Sequence, residues 1–264
     1  MRGVPAVIAV LATWSMAQAG AWTLPSGHWQ VFTATTQSAA TQSFDDNGRA
    51  RVPVSFSKLF LQNSFEYGLT GALTLFATPN YVSALVAAPG LAPAKAHNLS
   101  VETGARLMLD GRDGKLALQA SYKTAGAFDL SSSTASPFNH ASGRQIELRL
   151  LYGTSFKLLG RDGFADLQIA QRWITHPRPN ETPIDLTAGL WLTRRSMLML
   201  QSFNIVSAGD ARPPYTYYRS HKLELSFVRK LTRHWSMQLG AFYSPAGQNA
   251  LVERGLTVSL WTQD

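Results

Sequence analysis

The sequence predicts an all-β protein, a transmembrane up-and-down antiparallel β-barrel of about twelve strands. Apolar and polar residues alternate along many segments, which is typical of strands with two different faces. Short, charged turns also alternate along the chain with mostly longer connections. The short turns lie at 68–72, 110–115, 160–163, 193–196 and 232–235, and the other connections at 38–54, 79–97, 125–143, 176–182, 207–218 and 245–249. Short turns at one end and long loops at the other are typical of bacterial outer-membrane barrels.

The chain begins with the features of a secretory signal peptide. Arg2 supplies the positive charge, a short apolar stretch follows, and small residues mark two cleavage motifs. The apolar stretch is too short for a spanning helix, which argues against the alternative of an uncleaved membrane anchor. We therefore predict a signal peptide over 1–21, cleaved after Ala19 or Ala21, and a barrel over 22–264.

Composition excludes several classes of protein. The 264 residues include no cysteine, which argues against a disulfide scaffold and against thiol chemistry. After the signal peptide the sequence has no run of 18 consecutive apolar residues, so no transmembrane helix is predicted. The formal net charge of +8 favours anionic partners such as lipopolysaccharide phosphates or acidic saccharides, unless it is simply spread over turns and strands. Nucleic acid is not expected as a partner, because the basic residues are scattered.

Twelve segments are predicted as strands, and an even number returns both termini to the periplasm. They lie at 28–37, 56–67, 72–79, 98–110, 115–124, 144–157, 164–175, 182–192, 197–206, 217–230, 235–244 and 250–261. Aromatic residues lie near many strand ends, as in interfacial girdles. A soluble all-β protein would point its apolar faces inward instead. The persistent turn asymmetry, the number of strands and the charged polar faces favour a membrane barrel, although Arg254 falls on the apolar face of the last strand.

The polar faces place charged side chains in the predicted lumen. These residues are Glu66, Glu102, Arg106, Glu147, Arg149, Asp166, Arg172, Lys222, Glu224 and Glu253. One interpretation is a charged passage or binding surface for a polar solute, such as an acidic saccharide. The other is a ladder of interior salt bridges that holds the barrel closed, which the mixed signs within single strands favour.

One connection carries candidate recognition residues. In the segment 207–219, aromatic and basic side chains could stack on sugars and hold anionic groups, and two prolines stiffen the chain. The candidates are Arg212, Tyr215, Tyr217, Tyr218 and Arg219. The alternative is that these tyrosines belong to the girdle at the outer interface.

The sequence offers little support for catalysis. It contains none of the common motifs for a metal site, a phosphate-binding loop or a serine nucleophile, so no cofactor or metal is expected. The local serine–histidine pairings are Ser220 with His221, and His97 with Ser100. Ser220 and His221 are adjacent and so point to opposite faces of a strand, which prevents them from forming a dyad.

Two stretches of the chain carry a resemblance to a known family: residues 21–31, just after the signal, and residues 58–61 leading into 66–75. They resemble the XagA-like family of poorly characterised Gram-negative outer-membrane proteins. The resemblance implies a barrel and a link to exopolysaccharide production or biofilm formation. It supplies no catalytic residues. Many outer-membrane barrels end in an aromatic residue, whereas here three residues follow Trp261.

Together these observations predict a non-enzymatic barrel of the bacterial outer membrane that passes or binds a polar solute. Two alternatives are a membrane-embedded enzyme that modifies lipid or lipopolysaccharide, and a structural barrel with a plugged lumen. The expected partners are outer-membrane lipid and lipopolysaccharide, the barrel-assembly machinery, and an anionic or polar saccharide.

Overall fold

The computed structural model describes residues 20–87, 93–110, 114–124, 144–175, 178–209 and 217–264. Twelve strands lie within these described residues. They are β1 (Trp29–Phe44), β2 (Ala50–Thr70), β3 (Leu73–Ala87), β4 (Ala94–Asp110), β5 (Lys115–Lys123), β6 (Gln145–Leu158), β7 (Arg161–Ile174), β8 (Glu181–Trp191), β9 (Ser196–Ser207), β10 (Arg219–Lys230), β11 (Trp235–Gln248) and β12 (Arg254–Gln263). The predicted signal peptide lies almost wholly outside the described part of the chain.

The strands form one closed barrel in which each strand pairs antiparallel with its neighbours in sequence. The closing seam joins β1 to β12, from Gln30 opposite Gln263 to Ala39 opposite Arg254. Closure leaves the sheet without an edge strand, which is the condition for crossing a bilayer with strands. The predicted fold class is confirmed, and each predicted strand corresponds to an observed one.

The outer surface of the barrel is apolar. In β6, for example, Ile146 is 57% exposed and Leu148 is also exposed, whereas the intervening Glu147 is buried inside. Such a surface is stable against lipid chains rather than against water. Asn63 interrupts the outer face, and it accepts a hydrogen bond from the Thr33 hydroxyl (2.8 Å). Arg254 begins β12 and therefore lies at one margin of the belt, not within it.

The short connections gather at one end of the barrel, which we call the short-turn end; the opposite end is the loop end. Thr70, Thr193 and Thr232 each accept a backbone hydrogen bond three residues later, at 3.0–3.1 Å. Such local bonds favour a turn over a continued strand. Between β6 and β7, Leu159 and Gly160 both have positive φ (52° and 73°), the conformation of the tight hairpin turn that glycine favours.

At the loop end the predicted boundaries are wrong. The connections predicted at 38–54 and 79–97 are largely strand, because β1 to β4 continue their hydrogen-bonded ladder beyond the alternating apolar segments. By contrast, β12 begins at Arg254 rather than at residue 250. Residues 249–253 are not part of the β12 ladder. They fold against the loop end of β1, where the Phe44 N–H donates to Ala250 O at 2.7 Å.

Candidate functional site

The barrel encloses a cavity of about 560 Å³ with two chemically different sides. We call the side formed by β4 to β8 the charged wall. Its charged residues are Glu102, Arg106, Glu147, Arg149, Arg172 and Asp185. We call the opposite side, formed by β1 to β3, β9 and β11, the aromatic wall. Its aromatic residues are Phe32, Phe60, Phe76, Phe203 and Phe242.

A continuous network of ion pairs runs along the charged wall. Glu147 receives Arg149 on one carboxylate oxygen and Arg172 on the other, at 2.7 Å each. Arg149 reaches on to Asp185 (2.8 Å), and Arg172 reaches on to Glu181 (2.6 Å). The network links β6, β7 and β8 across the lumen side of the sheet. This is the geometry of the predicted interior ladder, and it ties three neighbouring strands together.

A second ion pair lies nearer the short-turn end. The two terminal nitrogens of Arg106 contact the two carboxylate oxygens of Glu66 at 3.2 and 3.3 Å. Arg106 also donates to Gln119 Oε1 at 3.1 Å and is only 1% exposed. Gln30 donates to Glu66 at 2.9 Å. Both buried charges are therefore paired and hydrogen-bonded, which buried ions require.

A third cluster lies toward the loop end, between β2 and β10. Glu253, from the folded segment before β12, contacts Lys58 at 2.7 Å through one oxygen and Lys222 through the other. The Ser38 hydroxyl donates to the same carboxylate. Among the described residues, Glu253 is the partner of both lysines, so two cations share one anion.

Two further predicted lumen residues, Glu102 and Glu224, also point inward and accept hydrogen bonds from neutral side chains. Glu102 accepts from the Ser121 hydroxyl at 2.7 Å. Glu224 accepts from Ser226 at 2.7 Å and from Gln238 at 3.3 Å, and within the described chain no lysine or arginine forms an ion pair with it. The structure thus places nine of the ten predicted lumen residues on the inner face of the strands. Glu253 instead lies in the segment before β12 and pairs with Lys58 and Lys222.

Residues 20–27, here called the N-terminal segment, enter the lumen at the short-turn end. The Ala21 N–H donates to the Asp166 carboxylate at 3.0 Å, and the Leu24 N–H donates to the Thr74 hydroxyl at 2.8 Å. Arg106 donates to the Trp22 carbonyl at 3.1 Å. The segment therefore uses two of the predicted lumen charges, Asp166 and Arg106, as its anchors.

The Trp22 side chain is the largest group that the segment inserts. Its ring packs edge-on against Phe164, with ring centroids 5.9 Å apart. It also covers Gly153 so closely that a Cβ there would lie 2.6 Å from the indole. Only a glycine at position 153 leaves room for the ring. The sequence of β6 is thus matched to the presence of the segment.

Apolar side chains close the short-turn end further. Met197, Met199, Val228 and Trp261 form one buried cluster, against which Phe32 packs. Ala21, Ala117 and Leu151 form a second. In the described structure the cavity therefore ends in an apolar floor and the N-terminal segment, which is the arrangement expected of a plugged lumen.

The predicted recognition loop is only partly described, since Arg212 and Tyr215 lie outside the described residues. Tyr218 does not project as a recognition side chain. It is 6% exposed, and its hydroxyl donates to Glu181. Burial and the nearby Glu181 carboxylate raise the pKa of the Tyr218 phenol, which keeps the hydroxyl protonated as a donor. Its prediction as a ligand contact is corrected, because its polar group is used internally.

Two neighbours of Tyr218 remain near the surface of the loop end. The Arg219 guanidinium lies 5.8 Å from the centre of the Tyr217 ring and donates to Gln248 Oε1 at 2.8 and 3.1 Å. The role of Tyr217 and Arg219 in binding sugars and anionic groups stays a prediction.

Histidine contacts give no catalytic constellation in the described residues. His221 faces outward and contacts the Asn204 side-chain oxygen (2.9 Å), whereas Ser220 lines the cavity, as strand alternation predicts. His97 contacts the Tyr81 hydroxyl at 3.0 Å.

No group of three potential metal ligands occurs among the described residues. Nor does the described chain contain a helix long and apolar enough to cross a membrane.

Sequence reasoning missed the aromatic wall and several charged partners. Phe60 shares its strand face with Lys58 and Glu66, so its inward direction followed from the same alternation. Asp185 and Lys58 also follow this rule. Glu181 shares the inner face of β8 with Asp185, but it lies one residue before the predicted strand. Its pairing with Arg172 joins two strands.

Comparisons with known proteins agree with this architecture. No family model matches the chain, and no curated protein matches it. The structure is similar to the COG4313 outer membrane channel from Pseudomonas putida F1, with a TM-score of 0.68, 13% identity, and coverage of 95% of this chain and 100% of that one. It is also similar to the translocator domain of the autotransporter NalP from Neisseria meningitidis, with a TM-score of 0.53, 15% identity, and coverage of 90% and 89%. With its apolar outer belt, the chain has the fold and the surface of a Gram-negative outer-membrane β-barrel.

Proposed function

We propose that the protein is a non-enzymatic outer-membrane barrel that admits a polar solute to its cavity and passes it inward when the N-terminal segment leaves. The observation that carries the proposal is a cavity of about 560 Å³ above a closure made partly of a non-strand segment. In the proposed orientation the short turns face the periplasm and the loop end faces outward. The signal peptide is removed during export.

The N-terminal segment is suited to movement because it is not part of the barrel ladder. Its residues 21–24 are held by four hydrogen bonds: Ala21 to Asp166, Arg106 to Trp22, Thr23 to Gly71 and Leu24 to Thr74. Each contributes about 1 kcal/mol net. Releasing it costs far less than opening paired strands, whose many bonds must break together.

The lining of the cavity supports a solute with both polar and apolar faces. Sugars fit this description, since their hydroxyls match charged groups and their C–H faces stack on aromatic rings. The resemblance of residues 21–31, 58–61 and 66–75 to the XagA-like family adds a link to exopolysaccharide production or biofilm formation. We therefore propose an anionic or polar saccharide as the solute, with outer-membrane lipid, lipopolysaccharide and the assembly machinery as the partners of the barrel itself.

Single-channel recording in planar lipid bilayers tests the proposal. The mature protein should be mostly closed, and a variant lacking residues 20–24 should conduct persistently. Heat-modifiable migration on a gel provides the folding control for both proteins. A folded deletion variant that never conducts would overturn the proposal.

That outcome would favour a structural barrel, the one other function that a specific observation supports. In the ladder along the charged wall, both carboxylate oxygens of Glu147 are paired, and Arg149 and Arg172 each bridge two carboxylates. Such a network can serve strand cohesion alone. A variant that exchanges the charges of Glu147 and Arg149 should then alter stability without altering conductance.

A further inference from the structure

The cluster of Lys58, Lys222 and Glu253 differs from the charged wall in its balance of charge. On the charged wall each arginine pairs with at least one carboxylate that no other arginine of this wall contacts: Glu66 for Arg106, Asp185 for Arg149 and Glu181 for Arg172. Here two ammonium groups share a single carboxylate, which leaves one positive charge uncompensated within the cluster. An uncompensated charge beside a cavity attracts an anion.

The exposure of the three side chains points the excess charge toward the cavity. The Glu253 side chain is 5% exposed, whereas those of Lys58 and Lys222 are 24% and 27% exposed. Both lysines line the cavity, whereas Glu253 is not part of its lining. The carboxylate thus positions the two ammonium groups side by side, and each lysine keeps donors that Glu253 does not use.

Aromatic side chains surround the two lysines. The Lys222 ammonium lies 5.4 Å from the centre of the Phe242 ring, and Phe203 is its partner on β9. Phe60 follows Lys58 on the same face of β2. An anion held by both lysines would therefore lie against at least one aromatic face.

We propose that Lys58 and Lys222 form a binding site for the carboxylate of a ring-shaped organic acid whose apolar face packs on Phe60, Phe203 and Phe242. The proposal rests on the proposed function, because it names the solute class that the cavity admits. A hexuronic acid and an aromatic carboxylic acid share this chemistry. A cavity of about 560 Å³ is large enough for either, since typical ligand pockets measure about 300–1,000 Å³.

Isothermal titration of the purified, folded barrel with four probes tests the site. Glucuronate and benzoate carry the carboxylate, and glucose and benzyl alcohol are their neutral counterparts. We expect at least one acid to bind and each neutral counterpart to bind much more weakly. Binding of glucuronate alone identifies a saccharide acid, and binding of benzoate alone identifies an aromatic acid. If neither acid binds, or if the acid that binds does so no more tightly than its neutral counterpart, the proposal is wrong.

Variants of the second lysine separate charge from structure. Lys222→Gln leaves Glu253 paired with Lys58. The cluster then consists of one cation and one anion and no longer carries an excess positive charge. Affinity for the acid should fall about tenfold to a hundredfold, the usual effect of one charged hydrogen bond. Lys222→Arg should retain affinity within a few-fold. Lys157→Gln, at an exposed position on the short-turn end, is the matched control and should change nothing.

Removing the other nearby carboxyl gives a test in the opposite direction. Glu224 lies two residues from Lys222 on the same face, and Glu224→Gln should tighten binding of the acid. Unchanged acid affinity in Lys222→Gln would overturn the site. These titrations use the closed protein and require no conduction. Acid binding without conductance of the deletion variant would therefore refute the proposed passage alone, and conductance without acid binding would refute the site alone.

Discussion

Replacing Arg106 by methionine tests how the interior charges stabilise the barrel. Arg106 is 1% exposed and pairs with both carboxylate oxygens of Glu66, which is itself 7% exposed. Methionine fills much of the same volume but leaves the carboxylate without its cation. Gln30 remains as a neutral donor to Glu66. Loss of one partner of a buried ion pair costs about 3–5 kcal/mol, so we expect the free energy of unfolding to fall by that amount.

A double variant separates the stranded charge from the lost hydrogen bonds. Glu66→Gln combined with Arg106→Met removes both charges together. The bonds from Arg106 to Gln119 and to the Trp22 carbonyl are still lost, at about 1 kcal/mol each. The double variant should therefore be destabilised by only about 2 kcal/mol and should be more stable than the single variant.

Urea titration of the folded protein in lipid vesicles, followed by tryptophan fluorescence, measures both effects. At a slope of about 2 kcal/mol per molar urea, the single variant should shift the midpoint by about 1.5–2.5 M. Lys157→Met, which removes an exposed pair with Asp162 at 3.7 Å, should stay within about 0.5 kcal/mol of wild type. A single variant as stable as wild type, or a double variant less stable than the single one, would refute the reasoning.

Three further predictions concern the ends of the barrel. Gly153→Val should expel Trp22 from its site and give the conductance of the deletion variant, with Gly209→Val at the loop end as the control, because a side chain at Gly209 meets nothing within 4 Å. Intact-mass measurement should find a mature chain that starts at Gly20, since the next residue donates its N–H to the buried lumen carboxylate; a start at Trp22 would refute this. The Arg49 N–H donates to the Asp45 carboxylate and lowers its pKa below the ordinary 3.8, although desolvation of the carboxylate acts in the opposite direction. The turn at 45–49 should therefore lose amide-exchange protection only as the pH falls below that value, and protection that persists in Asp45→Asn would contradict this origin.

The strands and their faces could be predicted because both depend on a period of two residues, which is a local property. In β6, Glu147 and Arg149 point inward for the same reason that Ile146 points outward. The strand ends at the loop end follow a different rule. Beyond the lipid, the ladder between β1 and β2 continues although the outer residues no longer need to be apolar. Alternation therefore underestimates the strands wherever they project from the membrane.

The entry of the N-terminal segment into the lumen and the burial of Tyr218 could not be predicted for a related reason. Nothing in residues 20–24 shows a pattern that distinguishes a chain inside a lumen from a chain outside it. The site for Trp22 exists only once β6 and β7 are neighbours in a closed barrel, where Gly153 and Phe164 meet its ring. The inward turn of Tyr218 likewise depends on Glu181, which lies 37 residues earlier.

The mixed charges of single strands favoured interior salt bridges but did not identify which residues pair. Within β6, Glu147 does pair with Arg149, two residues away. Lys222 instead pairs with Glu253, and its strand neighbour Glu224 bonds to neutral groups. Pairing therefore follows distance across the lumen rather than order along the strand. The cavity lining carries five basic and five acidic side chains. This balance is compatible with a local excess of positive charge at Lys58 and Lys222, through which the cavity can select an anion.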